Sequence, residues 1–114
     1  MKLEKFEDII AWQKGKELIV LLYRLLKNNR DFGYKDQILR AAISICNNIA
    51  EGFERHSNNE LKQFLYISKG SAGEIRSMLI VGMELGYFDK INYENAYNLA
   101  IDISRLLSGF IKTL

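Results

Sequence analysis

Ile38-Leu39-Arg40-Ala41-Ala42-Ile43-Ser44-Ile45-Cys46-Asn47-Asn48-Ile49-Ala50-Glu51-Gly52-Phe53 is the stretch that sets the fold class. Advanced at about 100° per residue, Ile38, Ala42, Ile45, Cys46, Ile49, Ala50 and Phe53 gather on one side. Arg40, Ser44, Asn47, Glu51 and Glu54 fall on the other. The run is too long for a strand and its period is helical. The C-terminal stretch reads the same way. Ala96, Leu99, Ala100, Ile103, Leu106, Leu107, Phe110 and Leu114 share a sector about 120° wide, with Glu94, Asn98, Arg105 and Lys112 opposite.

Working outward, the chain has no proline, and its breaks are few: Asn28–Gly33, Arg55–Asn59 and Gly86–Lys90. These leave helices near 7–28, 34–54, 58–86 and 92–113. Ser57-Asn58-Asn59-Glu60 reads as a capping box, with the Ser57 hydroxyl accepting from the Glu60 amide and the carboxylate reaching back. Asn92 is the expected N-cap of the last helix, and Gly86 followed by apolar Tyr87 reads as a glycine stop. Short connections between long helices make sequential neighbours antiparallel. The predicted fold is all-α, an antiparallel up-down four-helix bundle forming one domain over 1–114.

Composition bounds the function. Sixteen Lys and Arg against 14 Asp and Glu give a net charge of +2, too little for a binder that works on bulk charge. The single cysteine, Cys46, excludes an internal disulfide and a cysteine-rich zinc site, and fits a reducing, cytoplasmic setting. No apolar run approaches the ~18 residues that span a bilayer. Glu4, Glu7, Asp8 and Glu17 argue against a signal peptide, so no membrane partner is expected.

Catalytic machinery is hard to assemble from this inventory. Cys46 sits on a core face and the only histidine, His56, lies in a polar turn ten residues on, about 15 Å along a helix. The motifs of helical metalloproteases, di-iron bundles and phosphate loops are all missing, and Glu51 and Glu54 lie too close to flank a glycosidic bond. The expectation is no enzyme, no metal and no cofactor.

Two features point instead to surfaces. In the first helix Ile10, Ala11, Trp12, Leu18, Ile19, Leu21, Leu22, Tyr23, Leu25 and Leu26 spread over roughly 220° of the wheel, where one core needs little more than ~100°. The surplus reads as a subunit interface involving Trp12, Ile19, Leu22, Tyr23 and Leu26; the alternative is cover by loops or by the Met1–Phe6 arm. The second feature is basic. Lys62, Lys69 and Arg76 recur every seven residues, with Arg55 one heptad earlier, and Lys5, Lys16 and Lys27 recur every eleven on the first helix, with Arg24 nearby and Arg30 and Lys35 following in the loop. Such rows fit a phosphate backbone. The competing reading of the third-helix row is packing, because it flanks the apolar sector Leu61, Phe64, Leu65, Ser71, Ala72, Ile75, Leu79 and Gly82 with Glu60 and Glu74 on the other shoulder, as coiled-coil flanks do.

Five glycines fall inside predicted helices: Gly15, Gly70, Gly73, Gly82 and Gly109. Each costs about 1 kcal/mol against alanine. In a hairpin turning near His56, facing residue numbers sum to about 112, which sets Gly70–Ala72 against Ala41, Ala42 and Ser44 for a close backbone approach. The alternative is that one or two of the glycines are simply exposed.

At residues 39–55, Leu-Arg-Ala-Ala-Ile-Ser-Ile-Cys-Asn-Asn-Ile-Ala-Glu-Gly-Phe-Glu-Arg, the chain resembles the four-helix-bundle proteins encoded by intervening sequences of 23S ribosomal RNA genes. Ala11-Trp12-Gln13-Lys14, Glu60 to Leu65, Gly70-Ser71-Ala72-Gly73-Glu74 and Leu85-Gly86-Tyr87 agree, so the likeness spans nearly the whole chain; Gly73 departs, standing where the family more often has a helix former. The resemblance implies a small bundle that assembles into a ring, a pentamer, with no defining enzymatic activity. It also implies a relation to accessory proteins of diversity-generating retroelements, more basic than this chain, which associate with a reverse transcriptase and its RNA. Ser44, Asn48 and Glu51 match the family string and read either as hydrogen-bonding groups across a protomer boundary or as local support near Gly52.

These readings converge on a non-enzymatic, homo-oligomeric helical bundle acting as a nucleic-acid-associated or ribonucleoprotein accessory module, its partners being further copies of itself and RNA or a nucleic-acid enzyme. The alternative is a protein-only structural adaptor whose assembled surface engages a partner such as a polymerase.

Overall fold

Three polar side chains open three of the four helices. Asp31 accepts from the Tyr34 amide (3.2 Å), Ser57 from the Glu60 amide (3.2 Å) and Asp89 from the Asn92 amide (2.8 Å). Each satisfies an amide that helical geometry leaves without a partner. In the computed structural model, which describes residues 3–114, the helices are α1 (Ile10–Leu25), α2 (Phe32–Phe53), α3 (Asn58–Glu84) and α4 (Lys90–Lys112), with one 3-10 turn, Phe6–Asp8, before them. Among the described residues there is no strand, so the fold is all-α with four helices.

Three local expectations change. The cap of α4 is Asp89 rather than Asn92, which instead supplies the capped amide. The Glu60 carboxylate accepts from the Ser57 hydroxyl (3.3 Å) in place of the reach-back to a backbone amide. Helix α1 starts at Ile10, not residue 7, because Ile9 is extended and buried and no side chain caps it. The Gln13 side chain, donating to the Glu7 carbonyl (2.9 Å), ties the preceding 3-10 turn to the helix. The glycine stop of α3 is present in full: Gly86 has φ +77°, its amide donates to the Met83 carbonyl (3.1 Å), and the Tyr87 amide donates to Gly82 (2.9 Å).

Helix α1 packs on α2 and α4, and α3 packs on the same two, so α1 and α3 occupy diagonal corners of a molecule measuring 43 × 22 × 19 Å. Leu18, Leu22 and Leu26 of α1 and its loop, Ile38, Ile45 and Ile49 of α2, Leu65, Ile75 and Leu79 of α3, and Ile103 and Leu107 of α4 are fully buried between them. Each such side chain contributes roughly 1.5–3 kcal/mol of transfer free energy. Helices α2 and α3 run in opposite directions. Ser44 bonds Ser71 (2.9 Å), Ser68 donates to the Ile45 carbonyl (2.9 Å), Gln37 donates to Glu74 (3.2 Å) and Tyr34 donates to the Met78 carbonyl (2.5 Å). The facing numbers sum close to the expected 112 throughout.

The close approaches fall at other glycines than expected. A Cβ on Gly52 would stand 2.7 Å from the Phe64 Cβ, and one on Gly15 would stand 2.7 Å from the Cys46 sulfur. Gly70 and Gly109 have nothing within 4 Å, so the hairpin seam is closed by Ser68, Ser71 and Ala72 while Gly70 faces outward.

Candidate interaction surfaces

Most of the apolar face of α1 is used within the subunit, while Ile10, Val20 and Tyr23 stay exposed. Leu22 and Leu26 are fully buried, which corrects their assignment to a subunit interface. The reason is that α1 lies between α2 and α4, so two neighbours draw on an arc that a wheel credits to one. Ile19 is half-buried against the same core. Trp12 is half-buried and meets the Phe6 ring edge-on, centroids 5.3 Å apart, so part of the N-terminal arm does cover this helix; Met1 and Lys2 lie outside the described residues. Of the proposed α1 interface residues, only Tyr23 is well exposed.

The polar row Ser44, Asn48 and Glu51 is engaged locally. The Asn48 amide donates to both the carbonyl and the hydroxyl of Ser44 (2.8 Å each), Ser44 bonds Ser71 across the seam, and Glu51 accepts from Arg55 (2.9 Å). Ser44 is thus half-buried between α2 and α3, not on the outward face.

The basic candidates divide. Arg55 is committed to Glu51 and lies over the Phe64 ring, 4.8 Å from its centroid, and Lys16 lies 5.5 Å from the Trp12 ring centre. Lys62 and Arg76 are half-buried, the Arg76 Nε being covered without a hydrogen-bond partner, whereas Lys69 is exposed. Among the described residues none of Lys62, Lys69 and Arg76 forms an ion pair. Lys27 and Arg30 stand exposed at the loop between α1 and α2.

A further apolar surface lies on the outer side of α3, opposite its core sector. Tyr66 (55% exposed), Ile67 (53%), Ile80 (49%) and Val81 (50%) stand there with Gly70, Gly73 and Ser77 between them. Glu74 marks one margin, where it accepts from Gln37; Lys69 and Arg76 mark the other. The signal available in the sequence was the presence of Ile67, Ile80 and Val81 opposite the core sector.

Two buried groups bear on chemistry. Burial pushes the Cys46 thiol up to about 11 against a lesser opposing pull from Lys16, and its hydrogen donates toward the Trp12 carbonyl (3.4 Å). Burial likewise pushes the Tyr34 hydroxyl up to about 12. At pH 8 only about one Cys46 thiol in a thousand is ionised in the fold. Native protein is therefore expected to resist an aromatic disulfide reagent at that pH and to react stoichiometrically once unfolded; rapid native reaction overturns this. Both groups ionise more readily unfolded than folded, from ordinary values of 9.0 and 10.0. Their contribution to stability is whole below pH 9 and falls as pH climbs toward 11 and 12, which a urea midpoint decreasing across that range checks.

Among the described residues no helix is long and apolar enough to cross a membrane, and no three His, Cys, Asp or Glu converge to hold a metal. No functionally curated protein matches the chain. It is similar to a crystal structure from Bacteroides thetaiotaomicron of a protein with unknown function from the S23 ribosomal protein family. That likeness has 30% identity and a TM-score of 0.83, and covers 90% of this chain and 98% of that one. Residues 7–109 match the family described as 23S rRNA-intervening sequence protein. With four helices, the family string at 44–52 and a match across almost its whole length, the chain belongs to the 23S rRNA-intervening sequence protein family.

Proposed function

We propose that this chain is an antiparallel up-down bundle without enzymatic activity that self-associates through the outer face of α3 and serves as a nucleic-acid-associated accessory module. The observation that carries the proposal is that face. Four large apolar side chains about half exposed stand on the outer side of this helix as two pairs, Tyr66 with Ile67 and Ile80 with Val81, about 20 Å apart along its axis, which one helix lying alongside would cover together. The occupant is a second copy of the chain, and the glycines say how it sits. Gly70 has open space around it and Gly73 touches only the Arg76 guanidinium, so an incoming helix approaches the backbone closely there. Each glycine otherwise weakens the helix by about 1 kcal/mol with no return inside the subunit.

The margins specify direction. Two α3 helices packed antiparallel set Lys69 and Arg76 of one beside the same residues of the other. Packed in the same sense, they set this basic margin beside the Glu74 margin of the next copy, which favours parallel packing. A ring, and a relation to the retroelement accessory proteins, belong to the same proposal and draw support from the string Ser44 to Gly52. The nucleic-acid part draws support from the exposed cations Lys27, Arg30 and Lys69 on a chain otherwise near charge balance, and from the family's link to 23S rRNA.

Light scattering after size exclusion at tens of micromolar tests the assembly. The expected result is a multiple of 13.2 kDa for the natural chain and 13.2 kDa for the folded Ile67→Asp/Ile80→Asp variant. A natural chain at 13.2 kDa overturns self-association. An assembly that survives these changes but dissolves with Val20→Asp/Tyr23→Asp moves the contact to α1.

A further inference from the structure

The turn between α1 and α2 brings three cations to one groove. Lys27, Arg30 and Lys35 line an open groove of about 440 Å³ together with Asn28, Asn29 and Phe32, and no carboxylate lines it. On a chain whose net charge is only +2, the three cations that line this groove outnumber the acid carried by the same turn, Asp31. The nearby acid, Asp31, is already occupied. One of its oxygens accepts from the Tyr34 amide (3.2 Å) and the other from the Tyr87 hydroxyl (2.5 Å). The Tyr87 bond first, and the Tyr34 amide second, hold its carboxyl below the ordinary value, so it stays an ionised cap whose one negative charge sits against the three positive ones. The loop itself is braced. Asn29 accepts from the Asp31 amide (2.8 Å), and the Lys35 ammonium donates to the Lys27 backbone carbonyl (3.3 Å), which holds the Lys35 head group just past the end of α1.

Phe32 gives the site its second element. It is the first residue of α2 and is 64% exposed, an aromatic ring offered to solvent beside three cations. Charge alone attracts any polyanion, whereas a ring next to a phosphate-binding groove fits a strand whose bases are unpaired, because each base has a face to stack. Paired bases are already stacked on each other and have none to offer.

We propose that this corner binds an unpaired nucleic-acid strand, with a phosphate held among Lys27, Arg30 and Lys35 and an adjacent base stacked on Phe32. The inference rests on the nucleic-acid reading above and goes further by naming the site and the strandedness of the ligand. It is independent of the basic row of α3, two of whose members are half-buried.

Fluorescence anisotropy with the full chain tests it. The probes are a mixed-sequence 12-nucleotide RNA, its DNA counterpart, and the RNA annealed to its complement, each at 50 and 200 mM salt. The expected result is tighter binding of a single strand than of the duplex, weakened at least tenfold by Lys27→Glu/Arg30→Glu. Phe32→Ala is expected to weaken single-strand binding about fivefold or more while leaving duplex binding unchanged. These positions are exposed, and an unchanged melting curve for each variant keeps folding out of the comparison. Comparing the RNA and DNA probes says which strand is preferred. If the natural chain binds no probe at 50 mM salt, the nucleic-acid reading itself falls. If it binds but the corner variants match it, while Lys62→Glu/Lys69→Glu/Arg76→Glu does not, nucleic-acid association stands and this site is overturned. Sensitivity to charge reversal with indifference to Phe32→Ala reduces the corner to a nonspecific polyanion patch and overturns the proposal as well.

Discussion

Gly82→Ala is expected to destabilise the protein by about 2–4 kcal/mol, although alanine is the better helix former by about 1 kcal/mol. Gly82 is buried on the inner side of α3, and a Cβ there would stand 2.6 Å from the Phe88 ring and collide with the Tyr34 hydroxyl. Tyr34 has little room to yield. Its hydroxyl donates to the Met78 carbonyl one turn earlier on α3, and its ring meets Tyr87 edge-on with centroids 5.0 Å apart. Pushing it aside leaves a polar group in a covered site without its partner, which adds about 1–3 kcal/mol to the steric cost. Chemical denaturation monitored by circular dichroism reads the effect. The mechanism is separately testable in the double variant Tyr34→Phe/Gly82→Ala. With the hydroxyl gone, the added methyl meets less resistance, so its cost is expected to be smaller than in the natural background. Equal costs in both backgrounds would place the conflict elsewhere, at Phe88. The companion change Gly70→Ala goes the other way. With nothing within 4 Å of its Cβ, it is expected to stabilise the dissociated subunit by about 1 kcal/mol. The same change is expected to weaken the proposed assembly, because it holds the incoming helix off the backbone.

The contrast between these glycines shows where sequence reasoning runs out. Every interior glycine carries the same propensity penalty on paper, and only the packing distinguishes Gly82, wedged against Tyr34 and Phe88, from Gly70, which faces open space. The helices themselves were legible because burial at period 3.6 leaves a stripe that survives every substitution of detail, and the α2–α3 register followed from a short turn and chain geometry. The start of α1 was not legible, since a buried Ile9 anchors it in place of a capping side chain. The candidate surfaces were legible by halves. Lys27, Arg30 and Lys35 stood out as part of a row that runs into the loop, but Phe32 joins them only through the path of the turn. The outer face of α3 was written plainly in Ile67, Ile80 and Val81, yet a wheel says which residues share a side and not how many neighbours that side meets. That same limit made α1 look over-supplied.

Leu22→Ala settles that last point. Leu22 is fully enclosed by the chain's own core, so removing its side chain beyond Cβ leaves a cavity that the surrounding helices only partly fill. The expected loss is about 2–5 kcal/mol, a large part of the roughly 5–15 kcal/mol that holds a domain of this size together. It corresponds to a fall of roughly 10–20 °C in the melting temperature. Tyr23→Ala, one position on and about half exposed, is expected to change subunit stability by no more than about 0.5 kcal/mol. If α1 were the contact between copies, the pattern would differ in kind. Leu22→Ala would then lower the mass seen by light scattering and flatten the dependence of the melting temperature on concentration, because it is binding of a partner to the folded state that raises apparent stability by mass action. A core residue instead lowers the melting temperature by the same amount at every concentration and leaves the mass of the folded species unchanged. The measurement thus separates two uses of one leucine that helical periodicity alone treats as the same: closing a subunit on itself, and closing it on another.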